Sequence, residues 1–325
     1  MSLEAGPLLH RRSLEGAAET ERVPFARSEA DKKKRGSLIH LQRKTSHESF
    51  VMRIPKIIYG TAWKKERTCD LTYQAVKSGF RGIDVACQPK HYNERGVGQA
   101  LAKLKDEGIT RNAIFIQTKF TSLDGQDLNQ PLPYDSKATL SEQMEQSLQT
   151  SLKNLETDHI DSLVLHSPMR TLQATIEAWK KLEDFHDRSV VKHIGISNIH
   201  QLPVWEELYD KARVKPHFVQ NSMHEGNLFD CYMRESCRER NVQYQSFWTL
   251  TGAPRVLKHP HLLEIARKKG WTPEQVWFRY HIEDGVIPLS GTTSQKHMED
   301  DVMISQIDEG LSEEEKTIIH KFLWG

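Results

Sequence analysis

The chain has 325 residues, 37% of them hydrophobic, which suits one large α/β core better than a string of small modules. Its 45 basic and 44 acidic residues leave a formal charge of +1, so no global field favours nucleic acid or an anionic membrane, and a small neutral or anionic ligand is the expected partner. Cys69, Cys87, Cys231 and Cys237 lack CxxC spacing and are too few for a disulfide scaffold, and no stretch approaches the ~18 apolar residues of a membrane span, so a soluble protein of the reducing cytoplasm is expected.

Residues 1 to 50 mix basic clusters ("HRR", "DKKKR") with Glu, Ser and Gly and show no apolar period, which predicts a disordered charged extension. Glu4, Glu15, Glu19 and Glu21 are too many early acids for a transit peptide. Residues 51 to 325 are read as a single domain. From Ile54 onward, short β-rich runs alternate with helical patterns about a dozen residues long. "KIIYGT" precedes "DLTYQAVKSG", "GIDVA" precedes "VGQALAKLKDEG", and "IFIQTK" leads through a polar loop to "SEQMEQSLQTSLKNL". "DSLVLH" precedes "TIEAWKKLEDFH", "HIGIS" precedes "PVWEELYDKA", and "HFVQN" precedes "YMRESCRER". "VQYQSFW" is followed by "LLEIARKKG" and "PEQVWFRYHIED", and "VIPLSG" by a closing helix, "SEEEKTIIHKFL".

Short, continuously apolar strands imply a parallel sheet covered by helices, and eight strand-then-helix units predict a closed (β/α)8 TIM barrel. The rival is a doubly wound sheet, which usually announces its dinucleotide site with GxGxxG after the first strand. The nearest match, Gly96-Val97-Gly98, lacks the third glycine and follows strand two.

Catalytic groups of a barrel project from the C-terminal ends of its strands. Asp84 closes strand two, Lys119 closes strand three and His166 closes strand four. Each alone is as readily a cap or a satisfied core residue. Neighbouring strand ends lie within ~10 Å of one another, so Asp84 and Lys119 can pair. The ammonium would pull a nearby phenol below its ordinary pKa of about 10, and an imidazole can orient a carbonyl oxygen. The candidate phenol is Tyr92.

With these residues in this order the chain resembles the aldo-keto reductase superfamily, whose site is an Asp and a Tyr after strand two, a Lys ending strand three and a His ending strand four. The resemblance extends through "GTAW" (Gly60 to Trp63), "YNE" (92 to 94), "GISN" (Gly195 to Asn198), "VQN" (Val219 to Asn221) and "VIPLSGT" (Val286 to Thr292), from about Ile54 to the C-terminus. It implies reduction of an aldehyde or ketone, with Tyr92 as proton donor supported by Asp84, Lys119 and His166. It also implies NADP(H) in preference to NAD(H), bound without a Rossmann fold and extended across the barrel mouth, with no metal. Gly60 and Thr61 would border the coenzyme; Ser197, Asn198 and Gln220 would bond the carboxamide; Ser246, Ser290, Thr292 and Lys296 would serve the rest of it. Trp63, His91 and Trp248 would line the substrate pocket, in a monomer or weak homodimer. Ser197 and Asn198 have a second reading as caps of the next helix.

The sequence departs from the family pattern at several points. The Tyr usually stands five residues after the Asp; that position is Pro89, so the loop carries three additional residues and His91 remains an alternative acid. The nicotinamide usually stacks on an aromatic just before the serine of strand seven, where this chain has Gln245, leaving that platform unassigned. Leu289 replaces a lysine that favours a 2′-phosphate, with Lys296 and His297 as other sources of charge. The family's long C-terminal loop has no counterpart after "HKFLWG", so an open pocket is expected, and "TSLDGQDLNQPLPYDS" is long enough to close part of the mouth instead. His259 and His261 form an HxH with no third ligand at metal-like spacing, and Cys87 reads as a buried thiol. Two other classes remain: a coenzyme-sensing regulatory subunit on the same barrel, and a phosphate-sugar isomerase, for which only Gly252 and Gly291 offer a phosphate grip.

Overall fold

A computed structural model describes residues 54–324; the extension expected over residues 1 to 50 lies outside the described residues. Eight parallel strands close into a barrel in sequence order: β1 (Ile58–Gly60), β2 (Gly82–Asp84), β3 (Phe115–Phe120), β4 (Ile160–Leu165), β5 (Val191–Ser197), β6 (Phe218–Ser222), β7 (Gln243–Phe247) and β8 (Val286–Ser290). The helices are α1 (Thr68–Lys77), α2 (Glu94–Asp106), α3 (Leu140–Leu155), α4 (Leu172–Asp187), α5 (Leu202–Lys211), α6 (Cys231–Glu239), α7 (Pro260–Lys269), α8 (Pro273–Glu283), α9 (Gln295–Gln306) and α10 (Glu313–Trp324). Local chemistry sets several of their ends: Thr139 with Glu142 and Thr272 with Gln275 form capping boxes for α3 and α8, and Gly270, at φ +67°, ends α7.

Alternation along the strands sorts the chain into an inner and an outer layer. On β3, Ile116, Thr118 and Phe120 face the helices, while Phe115, Gln117 and Lys119 face the axis; Ile116 and Phe120 accordingly belong to the large outer core with Ile83, Leu163 and Ile196, and Phe115 packs inside with Ile58, Phe218 and Ile287. Trp179 and Trp205 anchor the outer core, each fully buried with its indole N–H satisfied, by the Val214 carbonyl at 3.1 Å and Ser236 Oγ at 3.0 Å. Inside, Gly195 of β5 lets Phe218 close in, since a Cβ there would lie 2.8 Å from the Phe218 carbonyl oxygen.

The inner layer changes character along the axis. Its floor is apolar. Above it, register brings Gly60 opposite Asp84, Asp84 opposite Gln117, Gln117 opposite Ser162, and Gln220 opposite Gln245. The covering helix after β8 was not expected: α9, not the closing α10, directly follows that strand. Its pattern is weak because only Met298, Val302 and Ile304 supply buried apolar surface, alongside the buried polar Asp301 and Ser305. After β6, Leu228, Phe229 and Asp230 take three consecutive left-handed conformations (φ 52°, 51° and 52°), a geometry unfavourable by about 1–2 kcal/mol per residue. Asp230 is held there by Asn221 Nδ2 at 2.8 Å and the Tyr244 hydroxyl at 2.7 Å.

Candidate active site

Asp84 ends β2 on the inner face and would be an uncompensated buried charge without partners. It has three. Lys119 Nζ donates to Oδ2 at 2.6 Å, and Gln117 Nε2 and Gln220 Nε2 donate to Oδ1 at 2.8 and 3.0 Å. The two glutamines are tied to each other through Gln245: its Oε1 accepts from both at 2.7 and 2.9 Å, its Nε2 donates to Gln117 Oε1 at 3.0 Å, and Ser162 Oγ reaches the same oxygen at 2.8 Å. A ring of amides thus supports one carboxylate from below. Thr61 holds the Asp84 main chain, its N–H and hydroxyl donating to the backbone carbonyl at 3.0 and 2.8 Å.

Lys119, with a side chain only 1% exposed, points from β3 toward the mouth and donates also to the Val85 carbonyl at 3.0 Å. Burial opposes its charge, but Asp84 and Tyr92 outweigh that, and the ammonium is held above its ordinary pKa. Tyr92 presents its ring 4.9 Å from Lys119 Nζ and stands edge-on to the His166 ring at 5.9 Å between centroids.

Tyr92 arrives by a different route from its neighbours. It precedes Asn93, which caps α2 by accepting from the Gly96 N–H at 3.0 Å. Next, Glu94 is buried and accepts from Thr118 Oγ1 at 2.7 Å on the outer face of β3 and from Asn154 Nδ2 at 3.1 Å on α3. The "NE" pair therefore pins the start of α2 and hence the phenol. The expectation that Lys119 would lower the tyrosine's pKa is corrected in net direction. Burial raises it most, Lys119 lowers it and Asp84 raises it, so the phenol is held above its ordinary value and stays protonated at neutral pH.

His166 follows β4. Its Nδ1 lies 2.6 Å from Thr121 Oγ1, and its carbonyl accepts from Asn198 Nδ2 at 2.8 Å. Burial, then the charges of Lys119 and His91, push the imidazole down to about 3, so the ring is neutral. His91 packs tilted against Trp63 with 3.9 Å between ring centroids. Trp63 and Trp248, in the loops after β1 and β7, are 64% and 60% exposed and both at positive φ.

Ser197 and Asn198 do not cap α5, whose N-cap is Gln201. Ser197 Oγ donates to the Gln220 carbonyl at 2.6 Å and Asn198 Nδ2 donates to Ser197 Oγ at 3.2 Å, and among the described residues no donor reaches Asn198 Oδ1 or Gln220 Oε1. Two free amide oxygens beside a hydroxyl fit a carboxamide NH2, which donates two hydrogen bonds. Other expected contacts face protein partners. Ser246 Oγ lies 2.8 Å from Thr249 Oγ1, and Ser290 Oγ donates at 2.6 Å to Asp301, whose carboxyl burial pushes up to about 7. Thr292 accepts from the Tyr59 hydroxyl at its carbonyl, 2.9 Å, and Lys296 pairs with Asp300 at 3.0 Å on the solvent side. Gln245 is fully buried in the amide ring and offers no platform; Phe247, two residues on and on the same face, is partly exposed above it. His259 serves as the α7 cap and stacks on Phe322 at 4.0 Å.

Sequence reasoning missed Lys64, directly after "GTAW", which donates to the Gly291 carbonyl just beyond β8. A Cβ on Gly60 would sit in ordinary contact with the Ser290 carbonyl oxygen at 3.7 Å and the Leu289 side chain. It also missed Gln117, although Gln117 shares the inner face with Lys119 by simple alternation.

A closed (β/α)8 barrel with a buried Asp–Lys pair, a phenol and a neutral imidazole at its C-terminal mouth defines a class of barrel oxidoreductases. The chain belongs to the aldo/keto reductase family, whose model matches residues 56–323. It is 31% identical over 227 residues to the methylglyoxal reductase DkgA of Escherichia coli O157:H7, covering 68% of this chain and 74% of that protein. Its fold is similar to an aldo/keto reductase from Brucella melitensis (TM-score 0.69, 27% identity, 82% of this chain and 95% of that one). It is similar also to a variant of Gox0644 in complex with NADPH (TM-score 0.66, 27% identity, 82% and 89% of the two chains). Membership makes a nicotinamide the expected cofactor and a small carbonyl compound the expected substrate. Among the described residues no helix is long and apolar enough to cross a membrane.

Proposed function

We propose that the protein reduces a small aldehyde or ketone to the alcohol, with Tyr92 as general acid. The observation that carries this reading is the meeting of Tyr92, Lys119, Asp84 and His166 at the mouth, with 4.9 Å from ring to ammonium and 2.6 Å from ammonium to carboxylate. A bound nicotinamide supplies the hydride. The chain's own residues do the rest: His166 orients the carbonyl oxygen, and Tyr92 gives that oxygen a proton. Lys119 stabilises the phenolate left behind, and Asp84 with its amide ring keeps Lys119 charged and aimed. Ser197, Asn198 and Gln220 would hold the carboxamide. Lys64, beside Gly291 at the end of β8, would serve a coenzyme phosphate. NADP(H) is preferred in this reading over NAD(H), with charge from Lys64 and from Lys296 once released from Asp300; titrating both coenzymes measures the preference. The rim aromatics Trp63, His91 and Trp248 form the substrate walls.

Tyr92→Phe tests the assignment. Turnover of methylglyoxal with NADPH should fall by about a thousandfold, with NADPH affinity within about twofold of the parent. A loss of less than tenfold would transfer the role to His91. Coenzyme binding by the parent protein without turnover of any aldehyde or ketone would favour a regulatory subunit.

A further inference from the structure

Thr121 follows β3 and is neither an expected site residue nor part of the Asp–Lys–Tyr cluster. It is 3% exposed, and its hydroxyl oxygen lies 2.6 Å from His166 Nδ1. A neutral imidazole carries one N–H and one bare nitrogen, and which is which follows from the partner of each. Among the described residues the Thr121 hydroxyl has no acceptor other than Nδ1. If the ring donated to the hydroxyl oxygen, the hydroxyl proton would be buried without an acceptor, which costs about 1–3 kcal/mol. If the hydroxyl donates, both groups are satisfied. We propose that Thr121 is a positioning residue whose hydroxyl donates to His166 Nδ1 and locks the ring as the Nε2–H tautomer, making Nε2–H the hydrogen-bond donor to a substrate carbonyl.

The surroundings hold Thr121 to this task. Its carbonyl accepts from the Tyr134 hydroxyl at 2.8 Å and from Gln126 Nε2 at 3.3 Å, and Gln126 Nε2 also donates to the Cys87 carbonyl at 3.0 Å. Gln88 Nε2 ties the same loop down by donating to the Gly125 carbonyl at 2.6 Å. Gly125 lies against the Thr121 methyl, where a Cβ would come within 2.7 Å of Cγ2 and push the threonine from its place. On the other side the His166 main chain is fixed by its N–H donating to the Phe120 carbonyl at 2.9 Å and by Asn198. The long loop after β3, expected to close part of the mouth, thus acts as a buttress for Thr121.

Only the identity of what Nε2–H meets rests on the carbonyl-reduction reading; the tautomer does not. The test pairs spectroscopy with kinetics. In protein labelled with 15N-histidine, two-bond 15N–1H correlation of His166 should show a pyrrole-like Nε2 and a pyridine-like Nδ1. Thr121→Val keeps the shape and removes the donor: the His166 pattern should become mixed or reversed, and kcat/KM for methylglyoxal should fall by roughly tenfold with NADPH affinity unchanged. Thr121→Ser should restore both. An Nδ1–H pattern in the parent protein overturns the proposal, and so does a Thr121→Val protein with parental spectrum and kcat/KM. Should Thr121→Val not fold, the parent spectrum and Thr121→Ser decide. An Nε2–H parent that reduces no carbonyl compound upholds the tautomer lock while refuting the proposed activity.

Discussion

Removing the ammonium of Lys119 should unbalance the barrel interior more than removing the ion pair altogether. The pair is 2.6 Å apart with side chains 1% and 3% exposed, so at an effective dielectric of about 20 its Coulomb attraction is about 6 kcal/mol. Desolvating two ions costs several kcal/mol each, which offsets most of that gain. The pair is therefore near neutral for stability, whereas half of it is not. Lys119→Met leaves the Asp84 carboxylate buried with only Gln117 and Gln220 as donors, and the expected loss is about 3–5 kcal/mol. The double variant Asp84→Asn with Lys119→Met should recover to within about 2 kcal/mol of the parent and remain inactive. Urea denaturation at pH 7 of the parent, both single variants and the double variant closes the thermodynamic cycle. A Lys119→Met protein that loses less than about 1 kcal/mol would refute the account of Asp84 as a charge dependent on its ammonium.

The pH dependence of reduction should be flat through neutrality, because Tyr92 is held above its ordinary value and His166 titrates only near 3; a limb in kcat/KM between pH 6 and 7 would contradict the neutral imidazole. Stability should decline on acidification: His166 and His193, with folded values near 3 and 4, stay neutral while the unfolded chain takes up protons below about 6.5. Each adds at most about 1.4 kcal/mol per pH unit between 6.5 and its folded value, less for the partly exposed His193, and a denaturation midpoint unchanged from pH 7 to 5 would exclude it. Gly195→Ala should destabilise by about 1–3 kcal/mol through its clash with Phe218, measured by the same urea curves, with coenzyme binding as the check that the mouth survives.

The barrel was legible because short, continuously apolar runs alternate so regularly with helical spacing from Ile54 onward. The strand-end residues Asp84, Lys119 and His166 were legible for the same reason, each a polar group closing an apolar run. Gln117, and the part Gln245 plays beside it, were not legible because a glutamine in mid-strand looks like noise until closure brings its partners in from the opposite wall. The hydroxyls of Ser246 and Ser290 read as ligand contacts, yet parity along β7 and β8 turns them outward, toward Thr249 and Asp301. Helix α9 escaped because a helix that buries an aspartate and a serine among its few apolar residues gives little amphipathic signal. The sign of the Tyr92 shift also lay beyond the sequence, since it depends on how completely water is excluded, and no motif encodes that.

The anchoring of Tyr92 bears on how such enzymes diversify. The phenol is held on its C-terminal side by the capped start of α2 and by Glu94 gripping β3 and α3, and on its N-terminal side by the Tyr92 N–H donating to the Gln88 carbonyl at 3.0 Å. Between these anchors the exposed Pro89 and Lys90 are where insertion or deletion disturbs least, leaving the Tyr92 hydroxyl in place. Genome searches keyed to a fixed Asp-to-Tyr interval would pass over relatives of this kind, and searches keyed to the Tyr-Asn-Glu helix start would retrieve them.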